Sequence, residues 1–450
     1  MTESPRETLL DICQRTVDMA LSGGAGEAEA FCSSGERVDV QLQKNDLHLA
    51  KSIAGAGLGI RVFRERSLGF AYVNSLTDEA IAESVETALA IAAASPADQH
   101  NGLPEPVPTP PRDDILDPGA PSFGVENAVE RAVEMLNAAR SYDERVTVDS
   151  GELGVDIGAK AIVTSKGVSA FEQSSSFHCA IMGMAREGDT VSSFDYQAQS
   201  SRLSSGIDPA ATARRFAENV VSTLGAVRGE SFTGPVLLAP KAASEIISYP
   251  IIYAARANSV QKDMSRFEGR LGDRVGSPLL TIIDDSTLPD GFSTTSFDRE
   301  GQAPSVLPIV ERGILMNYLY DAYTARKDGR SSTGHAGGGA ASVPSVASTN
   351  VVWRAGETDL SEIIGGVDRG ILVSRFSGNI DPVSGDFSGS VKGGRMIRSG
   401  KLAEPLSGTM IAGNTFELLE AITAVSTERE VLFSETIPHV LLEGVTVSTG

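Results

Sequence analysis

The sequence is poor in the residues from which metal, redox and membrane sites are built. Its 450 residues include three cysteines and five histidines. Cys13, Cys32 and Cys179 are odd in number and widely spaced, which matches neither a disulfide framework nor paired zinc ligands, so they read as reduced packing residues. No two histidines stand at a helical ligand spacing. His48, His100, His178 and His439 fall in segments that read as strand or linker, where structural histidines are expected. No apolar run approaches the roughly 18 residues of a membrane span, and the opening MTESPRETLL has neither the basic flank nor the apolar core of a signal peptide. The expectation is a cytoplasmic protein with no membrane partner. Positive charge is also short: 38 Lys and Arg against 59 Asp and Glu leave a net charge of −21. That surplus opposes a phosphate backbone and excludes nucleic acid as a direct partner. With 6% aromatics and 46 glycines, the composition favours tight turns and β-structure over long helical bundles.

The periodicities divide the chain into units. Residues 6–22 place Leu9, Ile12, Cys13, Val17 and Leu21 at helical spacing, and a glycine pair follows as a stop. From Glu27 to Asn74 the pattern alternates, with breaks at SGER, KND and RERS, which predicts an antiparallel meander. SLTDEAIAESVETALAIAAA then starts a second helix with Thr77 as N-cap. The segment 101–121 is proline-rich and reads as a stiff linker kept out of any sheet. Beyond it the order recurs: a helix in VENAVERAVEMLNAARSY, strands from Val146 to Ser200, and a helix from Pro209 to Leu224. From Phe232 onward short strands alternate with glycine-rich turns. The fold class is therefore α+β. A duplicated helix–meander–helix region (1–100 and 122–225, joined by the linker 101–121) precedes a large β-rich, barrel-like domain at 226–450.

Candidate chemistry is thin. TGPVLLAPKAASEIISYPIIYAA carries a strand through a proline into a helix, a place where enzymes often mount a metal motif or nucleophile. Here it offers only Lys241, Ser244, Glu245, Ser248 and two tyrosines. His335, in RSSTGHAGGGAAS, is flanked by glycines that let a backbone approach a ligand, although a solvated loop is the simpler reading. TIIDDSTLPDGFSTTSFDREG offers Asp284, Asp285, Asp290, Asp298 and Glu300. Paired carboxylates do acid–base work or hold a hard cation, but acidic turns between strands have the same appearance. FSGNIDPVSGDFSGSVKGGRMI lacks the lysine and spacing of a phosphate loop. It reads as glycine-rich turns, or as a groove in which a peptide strand lies close to the backbone.

Taken in order, GPVLLAP, SRFEGRLGDRVGSPLLTIIDD, DREG, ERGILMNYLYDAYTAR, STGHAGG, SGDFSGSVKGG and GTMIAGN resemble the TldD/PmbA family, and the resemblance covers nearly the whole chain. It implies an intracellular metallopeptidase system associated with peptide maturation. The family has two kinds of subunit. The TldD-like kind resembles a zinc peptidase, with a His-Glu-x-x-x-His motif after the strand matching GPVLLA and a cysteine near the chain end as a further ligand. In that register Ser248 and Tyr253 stand where the two histidines would be, and Tyr249 where the glutamate would be. No cysteine follows Cys179. Hydroxyls are poor zinc ligands beside imidazole, and a phenol with a pKa of about 10 is a poor base for water. The chain thus resembles the PmbA, or TldE-like, partner. What this implies is a non-catalytic subunit of a cytoplasmic complex that degrades or matures unfolded peptides. It would have no cofactor of its own, with zinc expected in a TldD-like partner, and would be a homodimer candidate when isolated. His335, Gly337, Asp386, Phe387, Ser388, Gly413 and Asn414 are the candidate peptide- or partner-facing residues. The alternative is an independent hydrolase using Asp284, Asp285 and His335 with a non-zinc metal.

Overall fold

The computed structural model describes residues 5–449. Its N-terminal half is built on long strands. Helix α1 (Pro5–Ser22) leads into β1 (Glu27–Gln43), β2 (Asp46–Arg64) and β3 (Ser67–Val73), and α2 (Asp78–Ala94) follows. The second unit repeats the order with α3 (Val125–Tyr142), β4 (Val146–Thr164), β5 (Ser169–Glu187), β6 (Thr190–Val191), β7 (Asp195–Ser201) and α4 (Pro209–Ser222). The Thr77 side chain accepts from Ala80 N at the start of α2, and Asp208 does the same for Ala211 N at α4.

The two units share one seven-stranded sheet, because β1 pairs with β4 from Glu29↔Thr164 to Gln43↔Ser150. The break expected at SGER does not exist: β1 runs through it. Gly35 lies opposite both Gly55 and Gly158, and a Cβ there would stand 2.7 Å from the Ile157 carbonyl oxygen. The glycine allows close approach of backbones between paired neighbours, and does not mark a turn. The true turns are at Lys44–Asn45 and Glu65–Arg66, all four at positive φ, as a tight hairpin requires.

Alternation assigns the two faces of this sheet. Ala28, Ala30 and Cys32 pack with α1 and α2, while Val38, Val40 and Leu42 pack with α3 and α4. On the opposite face Phe31 packs against Phe297 and Ala340 of the C-terminal region. There the contact is close enough that a Cβ on Gly59 would stand 2.2 Å from the Ala340 carbonyl oxygen. Beside it Arg61 binds Glu29 (2.5 Å) and Glu300 (2.9 Å), and Arg299 binds Glu29 (2.7 Å), all with side chains at most 5% exposed. The three cysteines are buried and free.

The C-terminal region forms a branched 14-stranded sheet. Its long last strand, Glu435–Thr449, pairs with Phe232–Leu238, Val351–Trp353, Thr409–Asn414 and Ile422–Leu432. The helices here are short: α5 (Pro240–Ala243), α6 (Tyr249–Ala255), α7 (Ala257–Val260) and α8 (Ala322–Lys327) among them. Ile246, Ile247, Ile251, Phe267, Leu280 and Trp353 lie at the centre of the core. No described helix is long and apolar enough to cross a membrane.

Candidate functional site

The strand Phe232–Leu238 passes through Pro240 into α5, a π turn at Ser244–Ser248, and α6. Proline explains the π turn. Pro250 has no N–H to give the Ile246 carbonyl four residues back, and its ring crowds that carbonyl. The ladder widens so that Tyr249 N bonds Ser244 O. The freed Ile246 carbonyl accepts instead from Thr415 Oγ1 at 2.6 Å.

The π turn places two serines over one half-buried carboxylate. Ser244 Oγ donates to Glu435 Oε2 at 2.5 Å and Ser248 Oγ to Glu435 Oε1 at 3.1 Å. Burial pushes the Glu435 carboxyl above its ordinary range, while the two hydroxyls oppose that rise. Ser248 itself is fully buried, and Tyr249, its neighbour, is 47% exposed. Tyr253 and Arg256 are half-buried. Lys241 Nζ crosses to the N-terminal sheet, donating to Tyr196 O (2.7 Å) and Gln197 Oε1 (2.8 Å), and burial draws its pKa down to about 8.

Asp284 and Asp285 do not form a carboxylate pair. They are successive residues of the strand Ile282–Asp285, so they point to opposite faces. Asp284 is fully buried and accepts from Thr349 N at 2.8 Å and from Thr349 Oγ1; Asp285 accepts from Thr287 N and Oγ1. His335 corrects the solvated-loop expectation. It is 1% exposed, with Nε2 3.3 Å from Asp284 Oδ1 and Nδ1 2.9 Å from the Thr333 carbonyl oxygen. The chain beyond it forms a hairpin in which Ala336–Gly337 pairs with Ser345–Val346, with His335 and Ala336 buried at its base and Gly338, Gly339 and Ser342 exposed at its tip. Asp298 accepts from Glu300 N, Gln302 N and Ala336 N, and burial, together with the Glu300 charge, holds its pKa at about 7. Asp290 occupies a turn at φ 57°.

The remaining candidates form one ladder: Asp386 lies opposite Asn414 and Phe387 opposite Gly413, with Ser388 next in register. Asn414 donates to Asp386 Oδ1 at 2.7 Å and caps the helix Thr415–Leu418. Phe387 is turned inward against Phe376. Asp386 and Ser388 are exposed. Among the described residues, no group of three His, Cys, Asp or Glu side chains is arranged to hold a metal ion.

Sequence reasoning missed Glu435, Thr415 and Arg256. Glu435 did carry a signal: it has the same strand parity as Ile437, so an acid was due on the inward face. Thr415 and Arg256 carried none, since each matters only through a contact, or a missing contact, with a distant element.

Three family models match the chain. They are described as PmbA/TldA metallopeptidase domain 1 at residues 28–92, the central domain at 119–224 and the C-terminal domain at 231–449. The chain is 26% identical over 436 residues to the metalloprotease PmbA of Escherichia coli O157:H7, covering 95% of this chain and 93% of that one. It is 24% identical over 393 residues to a metalloprotease TldD homolog of Haemophilus influenzae, covering 83% and 80%. The crystal structure of TldE from Thermococcus kodakarensis has the same fold, with a TM-score of 0.89 at 24% identity over 97% of this chain and 99% of that one.

Proposed function

The chain belongs to the PmbA/TldA metallopeptidase family, and from that premise we propose that it is the non-catalytic subunit of a cytoplasmic TldD/PmbA-type complex acting on unfolded peptides. The observation that carries this reading is the bond between Ser248 and Glu435. In the register of the family resemblance, Ser248 stands at the first histidine position. Its hydroxyl is buried and committed to a carboxylate of the last strand. Tyr253 and Tyr249 supply phenols at the other two positions. This donor set does not fit zinc, which takes imidazole, thiolate or ionised carboxylate, and no reaction step is assigned to these residues.

The partner that would supply the metal is a TldD-like paralogue, and a relative of that kind is among the proteins this chain resembles. A subunit that keeps the fold without the metal can complete a chamber around the partner's catalytic centre and exclude folded proteins from it. The reading based on Asp284, Asp285 and His335 finds no support in the geometry. Asp285 faces away from Asp284, and both His335 and Asp284 are sealed from solvent.

The test is reconstitution. The purified chain, a TldD-like paralogue and their mixture are assayed on an unfolded peptide, with zinc measured in each preparation. Chelator-sensitive hydrolysis is expected in the mixture, with far less than one zinc per chain in this subunit alone. Hydrolysis by this chain alone, with stoichiometric tightly held zinc, overturns the proposal.

A further inference from the structure

Helix α6 presents one face that leaves the core. Pro250, Ile251, Ile252, Ala254 and Ala255 are buried. Tyr249 and Tyr253, with Arg256 at the helix boundary, are spaced i, i+4 and i+7. At 100° per residue they fall within about 60° of one another. They define a strip with two phenols and a guanidinium.

Arg256 is exceptional in what it lacks. Every other described arginine that is buried or half-buried binds a carboxylate or a backbone carbonyl: Arg61 and Arg299 bind Glu29, Arg375 binds Asp195, and Arg202 and Arg326 bind carbonyl oxygens, among others. Arg256 makes no described ion pair or side-chain hydrogen bond, and its Nε is buried without a partner. A guanidinium keeps its charge in a protein, so partial burial without a counter-ion has a cost that the fold leaves uncompensated. The chain carries 21 more acids than bases, so a carboxylate partner was abundantly available. Neither phenol has a described hydrogen-bond partner either, and Tyr249 is 47% exposed.

We propose that the strip formed by Tyr249, Tyr253 and Arg256 binds the carboxylate of a peptide, the guanidinium fork taking the two oxygens and the phenols donating to them. Planar, bidentate recognition of a carboxylate is what arginine does best, and phenol O–H groups add donors without adding charge. The inference rests on the reading of this chain as a peptide-handling subunit and deepens it by naming the group recognised. The carboxylate comes from either of two places, the peptide C-terminus or an acidic side chain.

The experiment uses the full chain and three fluorescent peptides of one unstructured sequence. The first has a free C-terminus and no acidic residue, the second a C-terminal amide and one glutamate, and the third neither carboxylate. Binding is read by fluorescence anisotropy. At least one carboxylate-bearing peptide is expected to bind about tenfold more tightly than the third, and which of the two does so identifies the source. Arg256→Gln should abolish that preference, Arg256→Lys should keep part of it, and Tyr253→Phe should weaken it. Because the Arg256 side chain makes no described hydrogen bond or ion pair and its backbone bonds are kept by any residue, Arg256→Gln is expected to stay folded, which circular dichroism checks. If all three peptides bind equally, or if Arg256→Gln retains the preference, the inference is wrong and the peptide-handling reading stands. If no peptide binds the wild-type chain, alone or mixed with its TldD-like partner, both fail.

Discussion

Thr415 gives its hydroxyl to the Ile246 carbonyl across 2.6 Å, filling the bond that Pro250 cannot make. The π turn is thereby held from outside the helix. Thr415→Val should cost about 1–3 kcal/mol, the penalty for a buried acceptor left unpaired. Pro250→Ala restores an N–H in the same place, so the double variant should lose less than the sum of the single losses. Urea denaturation of the four proteins measures this coupling, and strict additivity would show that the two residues act independently.

Glu435 anchors the same turn to the last strand through Ser244 and Ser248. Glu435→Ala strands the buried Ser248 hydroxyl and the half-buried Ser244 hydroxyl and opens a void, and a loss of about 2–4 kcal/mol is expected. Glu435→Gln keeps an acceptor and much of the volume and should cost about 1 kcal/mol or less. Chemical denaturation checks the ranking; equal losses would mean that the bonds contribute little.

The sequence made the long elements legible because periodicity alone determines them. The stretch 6–22 differs from α1 by one residue at its start, and Thr77 caps α2 as its position implies. The SGER segment was misread because glycine beside charged residues looks the same whether it turns a chain or lets two strands approach. Only the register of Gly35 with Gly55 and Gly158 separates the two. His335 was misread for a related reason: flanking glycines say that the backbone is crowded, and here the crowding comes from the protein itself, from the Ala303 carbonyl at Gly334 and from Ala347 at Gly337.

The candidate site was legible in residue identity and opaque in direction. Ser248, Tyr249 and Tyr253 were singled out together, yet one lies against Glu435 and the next is 47% exposed. Successive helical residues point about 100° apart, and which of them meets Glu435 is set by a turn held by Thr415, a residue 165 positions beyond Pro250 in the numbering. No local pattern encodes such a contact.

Asp298 should make stability depend on pH. Its folded pKa of about 7 lies above the unfolded value of about 3.9, so the native state holds the proton more tightly. Its contribution is then fully present below pH of about 4 and declines as pH rises to about 7, beyond which it is flat. Asp298→Asn removes that slope. The difference in unfolding free energy between wild type and variant should therefore change by about 2–4 kcal/mol across this window, in the direction of a less stable wild type at higher pH. Denaturant titrations at pH 5, 6, 7 and 8 measure it, and a constant difference would mean that Asp298 is ionised throughout.

Restoring the motif residues should not restore a peptidase. Ser248→His, Tyr249→Glu and Tyr253→His recreate the spacing of the family motif, but positions 248 and 253 are five residues apart, about 140° on a regular helix. The π turn ends at Ser248, and α6 runs regularly from Tyr249 to Ala255, so the irregularity lies too early to swing the pair together. An imidazole at 248 would also enter a fully buried position beside Glu435 and overpack it, at about 1–3 kcal/mol. No late cysteine is present to complete the ligand set. The triple variant is therefore expected to be less stable than wild type, to hold far less than one zinc per chain after dialysis, and to leave an unfolded peptide intact. Adding a TldD-like partner to the wild-type chain should instead produce hydrolysis. Chelator-sensitive cleavage by the triple variant alone would mean that the helix rearranges around a metal, and that this subunit lacks nothing but the ligands themselves.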